Sequence, residues 1–170
     1  MKHITIKRAE QADVDAIMQL MQEAVDTVKV SDWFLPDNRQ YIEEHISDRG
    51  FTLKALSSNN EILGFFIVDL PGESKHNLGY DLNYDDHKIH KVAHMDYAVV
   101  TSKSRGLGLQ SRFFKAAEQQ LEDTIYEYFL GTVHPDNIYS RTNFVKAGYR
   151  EARQMSKYGG MQRIIMEKEK

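Results

Sequence analysis

Apolar and polar residues alternate from Met1 to Arg8, a period of two that predicts a half-buried strand. Val14, Ile17, Met18, Met21, Ala24, Val25 and Val28 then recur at helical spacing. Asp13 and Asp15 stand near the start of that segment, where carboxylates suit the helix dipole. A loop over residues 31–36 leads to a shorter helix over 39–46. Residues 51–56 and 62–70 read as strands joined by the turn Ser57-Ser58-Asn59-Asn60. Strand character returns over 91–100, and Leu109, Phe113, Ala116, Ala117 and Leu121 mark an amphipathic helix. Residues 125–133 are a dense β-branched and aromatic run suited to burial. A short helix over 137–147 stops at Gly148, and 154–158 with 161–166 form a hairpin around Gly159-Gly160. Residues 71–90 show no period. That stretch exceeds an ordinary connection, so it is either a functional lid or regular structure that the pattern conceals.

The order β-α-α-β-β-β-α-β-α-β-β predicts one α/β domain over 1–170 with a largely antiparallel sheet. Lys and Arg total 22 and Asp and Glu total 25, giving −3, which argues against a nucleic-acid binder that relies on bulk phosphate neutralisation. The absence of cysteine excludes disulfides, thiolate metal sites and a cysteine nucleophile, and fits a reducing compartment. The N-terminus reads as a strand rather than a signal peptide, and the apolar run at 62–68 is too short for a membrane span. A cytoplasmic protein is expected.

The strongest chemical signal is Arg105-Gly106-Leu107-Gly108-Leu109-Gln110, between a strand and a helix. Glycines let a backbone turn sharply, free amides at a helix N-terminus face an anion, and Arg105 adds forked cationic donors. The segment fits neither a dinucleotide fingerprint, since Ser111 stands where the third glycine belongs, nor a P-loop, which needs Gly-Lys-Ser or Gly-Lys-Thr. A glycine turn that merely starts a helix is the plain alternative.

Val100-Thr101-Ser102-Lys103-Ser104-Arg105-Gly106-Leu107-Gly108 resembles the acyl-CoA signature of the GNAT superfamily of N-acyltransferases. Arg105 and Gly108 match that signature, and Gln110 departs from its last position, where Gly or Ala is usual. Asn137, followed by Ser140, Phe144, Gly148 and Tyr149, resembles the family's later motif. The resemblance implies a GNAT-like α+β domain, with a splayed, mostly antiparallel sheet of about seven strands flanked by about four helices. It further implies acetyl-CoA as co-substrate and no metal. Backbone groups of Val99, Val100 and Thr101 would pair with the pantetheine arm. Amides from Arg105 through Gly106, Leu107, Gly108 and Leu109 to Gln110 would hold the pyrophosphate, and Asn137, Ser140 and Phe144 would lie near the thioester. The implied activity is acetyl transfer to a primary amine of a small molecule or peptide.

Such transfer needs a neutral amine, and an alkylammonium with a pKa near 10 must first lose a proton. Asp96 stands four residues before Val100, on the same strand face, where the family often places a Glu; His94 shares that face if no bulge intervenes. Asp96 is the candidate base and His94 the second, with polar residues lining a wet cleft as the alternative. His134 is a weaker candidate. The family's proton donor is commonly a Tyr at the position of Phe144, which has no proton to give. This substitution and Gln110 motivate a second reading, a catalytically silent acyl-CoA-binding module. His87, His90 and His94 suggest a metal site, but on a strand His90 and His94 would be roughly 13 Å apart, too far for one ion. Asp81, Asp85 and Asp86 could attract a cationic acceptor. Trp33, Phe34 and Leu35 are candidates for the acceptor side or for a homodimer contact.

Overall fold

The computed structural model describes residues 4–28 and 30–170. The first strand, β1, runs over Thr5–Arg8; the expected strand positions Met1 to His3 lie outside the described residues. Then follow α1 (Val14–Thr27), α2 (Arg39–Ser47), β2 (Gly50–Leu56), β3 (Ile62–Asp69), α3 (Leu78–Asp81), α4 (Asp86–Ile89) and β4 (Val92–Val100). The chain continues with α5 (Leu109–Gln120), β5 (Tyr128–Val133), α6 (Ile138–Lys146), β6 (Arg150–Lys157) and β7 (Met161–Glu169). The seven strands form one sheet in the order β1-β2-β3-β4-β5-β7-β6, antiparallel throughout except between β4 and β5. The observed order is the expected one with two short helices added. No helix among the described residues is long and apolar enough to cross a membrane.

Two cores sandwich the sheet. One face packs Phe51, Leu53, Phe66, Met95 and Phe129 against Phe113, Phe114 and Ala117 of α5 and Phe144 of α6. The opposite face packs Phe65, Ile67 and Val99 against Val14, Ile17 and Met21 of α1 and Ile42 of α2. Beyond the reach of α1 and α2 the second face is covered by the 71–90 segment, where Leu78 packs on Val92, Tyr128, Leu130 and Ile165. That segment is therefore a structured cover, and its lack of period follows from its make-up of one-turn helices. The buried Asn77 holds it together: its amide donates to the Gly72 carbonyl at 2.7 Å and the Ile89 carbonyl at 3.1 Å, and its oxygen accepts from Gly79 N–H. Asp85 caps α4 by accepting from Lys88 N–H. The expected strand over 125–133 starts only at Tyr128: Ile125 is exposed, and the chain there is still leaving α5.

The parallel ladder is short. Val92, Ala93 and His94 pair with Tyr128, Phe129 and Leu130, and there it ends. Beyond that point β4 and β5 diverge, leaving one backbone edge of β4 without a strand partner. Gly131 sits at the fork. A Cβ there would meet the Met95 carbonyl and the Phe144 ring at 2.8 Å, so only glycine fits.

Candidate active site in the split of the sheet

The split opens into a cleft of about 840 Å³ that runs from the start of α5 to the loop between α1 and α2. At one end Gly106 and Gly108 adopt φ of +82° and +68°, a left-handed backbone that an L side chain resists. No atom lies within 4 Å of where their Cβ atoms would be, so backbone conformation rather than crowding requires glycine here. Gly108 is the residue before α5 and no side chain caps it. The amides of Leu109, Gln110 and Ser111 therefore have no intrahelical acceptor, and they stand at the mouth with those of Gly106 and Gly108. Arg105 reaches across to the Thr27 hydroxyl at 3.4 Å. The Gln110 side chain turns away from this mouth and accepts from Asn143 Nδ2 at 2.7 Å, tying α5 to α6. The non-glycine residue thus leaves its amide free.

Along the open edge of β4 the expectation needs correcting. Thr101 N–H donates to the Leu63 carbonyl of β3, and antiparallel alternation then directs the backbone groups of Val99 toward β3 as well. It is Ala98 and Val100 that present amide and carbonyl to the cleft. Asn137 caps α6, its oxygen accepting from Ser140 N–H at 3.1 Å, and both residues line the cleft. Phe144 borders the cleft too, wedged between Phe114 and Tyr149 with ring centroids at 4.8 and 5.2 Å.

The other end is acidic and aromatic. The β3–β4 register shifts so that Ile67 pairs with Tyr97 and Val68 with Met95, leaving Asp96 as the bulged residue. The bulge resets the alternation. Val100 packs on the α5 side, while Asp96 and Tyr97 both turn to α2, so Asp96 and Val100 do not share the face that simple alternation predicts. His94 stays on the Asp96 side. Asp96 accepts from the Tyr41 hydroxyl and opens onto the cleft. Desolvation by the surrounding walls pushes its carboxyl up to about 6, against the opposing pull of the Tyr41 bond. Burial and then the Asp96 charge push the Tyr41 phenol far above its ordinary value, so it is a donor throughout the physiological range. Tyr97 donates likewise to Asp37.

Behind Asp96 lies a buried network joining α2, β3, β4 and the 71–90 cover. His45 has no exposed surface. Its Nδ1 is 2.6 Å from the Tyr41 carbonyl and its Nε2 is 2.9 Å from Asp69 Oδ1. Both partners are acceptors, so both ring nitrogens donate and the imidazole is cationic. Burial pulls its pKa down, but the bonds to Asp69 and Tyr41 outweigh burial and raise it. Tyr41 stacks on this ring at 3.9 Å. Burial pushes the Asp69 carboxyl up, but hydrogen bonds from His45 and His94 prevail and hold it well below the usual carboxylate range. His94 Nδ1 donates to Asp69 Oδ2 at 3.1 Å, and its Nε2 accepts from Leu78 N–H at 3.0 Å. The candidate base His94 is thus a neutral imidazole with both nitrogens engaged.

The loop residues Trp33, Phe34 and Leu35 all line this end of the cleft. His134 lines it too, with Nδ1 accepting from Asp136 N–H. The histidines at 87, 90 and 94 do not converge, and no group of three or more His, Asp or Glu among the described residues could hold a metal ion. Sequence reasoning missed Tyr41, His45 and Asp69. A histidine beside Ile42 and Ile46 on the apolar face of α2, and an aspartate closing the apolar run of β3, were the available signals.

No family model matches the chain and no curated protein matches it in sequence. Solved structures do match it in shape. Arabidopsis thaliana NAA60 in complex with acetyl-CoA superposes with a TM-score of 0.74 at 13% identity, covering 99% of this chain and 100% of that one. Aminoglycoside acetyltransferase AAC(6')-Ib, in complex with coenzyme A and kanamycin, gives 0.73 at 15% identity over 99% and 95%. A GNAT-family acetyltransferase from Listeria monocytogenes gives 0.73 at 17% identity over the whole of both chains. A mixed seven-stranded sheet split between β4 and β5, in a chain that superposes end to end on these enzymes, is the fold of the GNAT superfamily of acetyltransferases.

Proposed function

We propose that the protein transfers an acetyl group from acetyl-CoA to a primary amine by direct attack within a ternary complex. The observation that carries this reading is the single cleft, with unpartnered amides at one end and Asp96 at the other, joined by the open edge of β4. The amides of residues 106–111 and Arg105 would hold the pyrophosphate, and the edge groups of Ala98 and Val100 would align the pantetheine arm as an added strand. Acetyl-CoA supplies the thioester.

The chain's own groups supply the rest. Asp96 takes the proton from the acceptor ammonium. The freed nitrogen lone pair attacks the thioester carbonyl carbon, the C–N bond forms and the C–S bond breaks. The electron pair leaves on sulfur, and the thiolate takes, through water, the proton that the nitrogen sheds as it becomes the amide. A thiol pKa of about 8.5 makes that departure tolerable without an acid, so Phe144 does not forbid the reaction. An amide of the β4 edge that the pantetheine arm leaves unpaired would stabilise the carbonyl oxygen as it gains charge. With no cysteine in the sequence, an acyl-cysteine intermediate is not available.

Thermal shift with acetyl-CoA, followed by thiol release across an amine panel, tests the reading. Binding with release supports it, and failure to bind acetyl-CoA refutes it. Binding without release from any amine favours the silent acyl-CoA-binding module, for which the missing hydroxyl at Phe144 is the specific argument.

A further inference from the structure

The acceptor end holds a charge that the reaction above does not use. Arg163 on β7 is only 4% exposed yet borders the cleft. Its guanidinium donates to the Asp32 carbonyl at 2.6 Å and the Gln162 carbonyl at 2.9 Å, and lies 3.7 Å from the Met161 sulfur. These partners are neutral. The other buried ions among the described residues have counter-charges in contact, as His45 has Asp69 and Glu167 has Arg150. Arg163 has no carboxylate within ion-pair distance among the described residues; Asp32, whose side chain is exposed, acts on it only from farther off. A buried charge without a partner is costly, and carbonyl oxygens hold a guanidinium in place without neutralising it.

The surroundings describe a chamber. The Tyr158 ring lies 5.8 Å from the guanidinium carbon, and Trp33 follows directly on the residue whose carbonyl Arg163 grips. Trp33 also borders His134, with ring centroids 6.3 Å apart. Asp96, Tyr158 and Arg163 all line the same cleft, so the negative and positive groups face one cavity. We propose that Arg163 receives an anionic group of the acceptor, making the acceptor a small amino acid-like molecule with a carboxylate or phosphonate beside its amine. This rests on the acetyltransferase reading. The ammonium goes to Asp96, where it loses its proton; the anion goes to the guanidinium, where the N–H groups not taken by the Asp32 and Gln162 carbonyls donate to it; Trp33 and Tyr158 take the apolar part.

The test uses the full chain and acetyl-CoA with matched pairs of acceptors: phenylalanine against phenethylamine, lysine against cadaverine, and an aminophosphonate against the corresponding alkylamine. The expected result is a kcat/KM at least about 100-fold higher for the anionic member of a pair. Arg163→Met should raise KM for that member about as much while leaving KM for acetyl-CoA unchanged, and Arg163→Lys should restore part of the loss. Equal use of both members by the wild type overturns the proposal. So does an Arg163→Met variant that loses both members and acetyl-CoA alike, because the side chain would then only fasten the loop to β7. Calorimetric binding of the N-acetyl amino acids in the presence of CoA, compared with N-acetylalkylamines, reads Arg163 without turnover. Lack of that preference overturns the assignment, whereas a preference seen without thiol release would sink the acetyltransferase reading and leave the anion site standing.

Discussion

Replacing Asp69 by Asn removes the acceptor on which the buried network converges. The carboxylate lies 2.9 Å from the charged His45 ring and 3.1 Å from His94. Two unit charges at the shorter distance attract by ~6 kcal/mol at an effective dielectric constant of about 20. Desolvation offsets part of that, and removal of one partner from a buried pair costs about 3–5 kcal/mol. In a chain of this length each kcal/mol moves the melting temperature by about 2–4 °C, so the variant should melt roughly 6–20 °C below the wild type. The pH dependence has a definite sign. Asp69 is depressed in the folded state, so its contribution is present above the ordinary aspartate value and is lost only as pH falls through the lower folded one. His45 is raised, so its contribution is complete below the ordinary histidine value and is lost as pH rises through the higher folded one. The difference between wild type and variant is therefore largest between about pH 4 and 6.5. It narrows in alkali, where His45 becomes neutral in both proteins. Thermal melts of both proteins at pH 5.5 and pH 9 measure this. A gap below about 1 kcal/mol, or one independent of pH, would refute the cationic assignment of His45.

Asp96→Asn should lower kcat by about 100-fold or more and remove an activity limb that otherwise rises as Asp96 deprotonates near pH 6; a pH–rate profile under saturating acetyl-CoA shows whether it does. Gly108→Ala places a Cβ at φ +68° and should cost about 1–2 kcal/mol, seen as a lower melting temperature together with a raised KM for acetyl-CoA. Phe144→Tyr adds a hydroxyl where the ring borders the cleft and should speed thiol release in single turnover; an unchanged rate would remove position 144 from the proton pathway.

Local apolar pattern was enough to order the long elements, because each long helix shows one apolar face to a core, a central strand such as β3 shows two, and that demand is written locally. The glycine turn before α5 was legible for the same reason: positive φ at Gly106 and Gly108 and free amides at a helix start are properties of a few consecutive residues. Residues 71–90 resisted reading because their order comes from Asn77 reaching Gly72 and Ile89 across the segment, not from any repeating pattern. The face of Asp96 also lay beyond the sequence. A bulge is set by how β3 and β4 fit together, and one extra residue reverses the side on which every later side chain falls. Likewise, His94 is an unremarkable strand histidine until Asp69 and the Leu78 amide occupy both of its nitrogens. The sequence by itself determined the long elements, the glycine turn and the absence of a thiol nucleophile. The tertiary structure alone decided which acid opens onto the cleft, which histidine is charged and which buried arginine among the described residues has only neutral partners, because those depend on groups that meet only when distant segments pack.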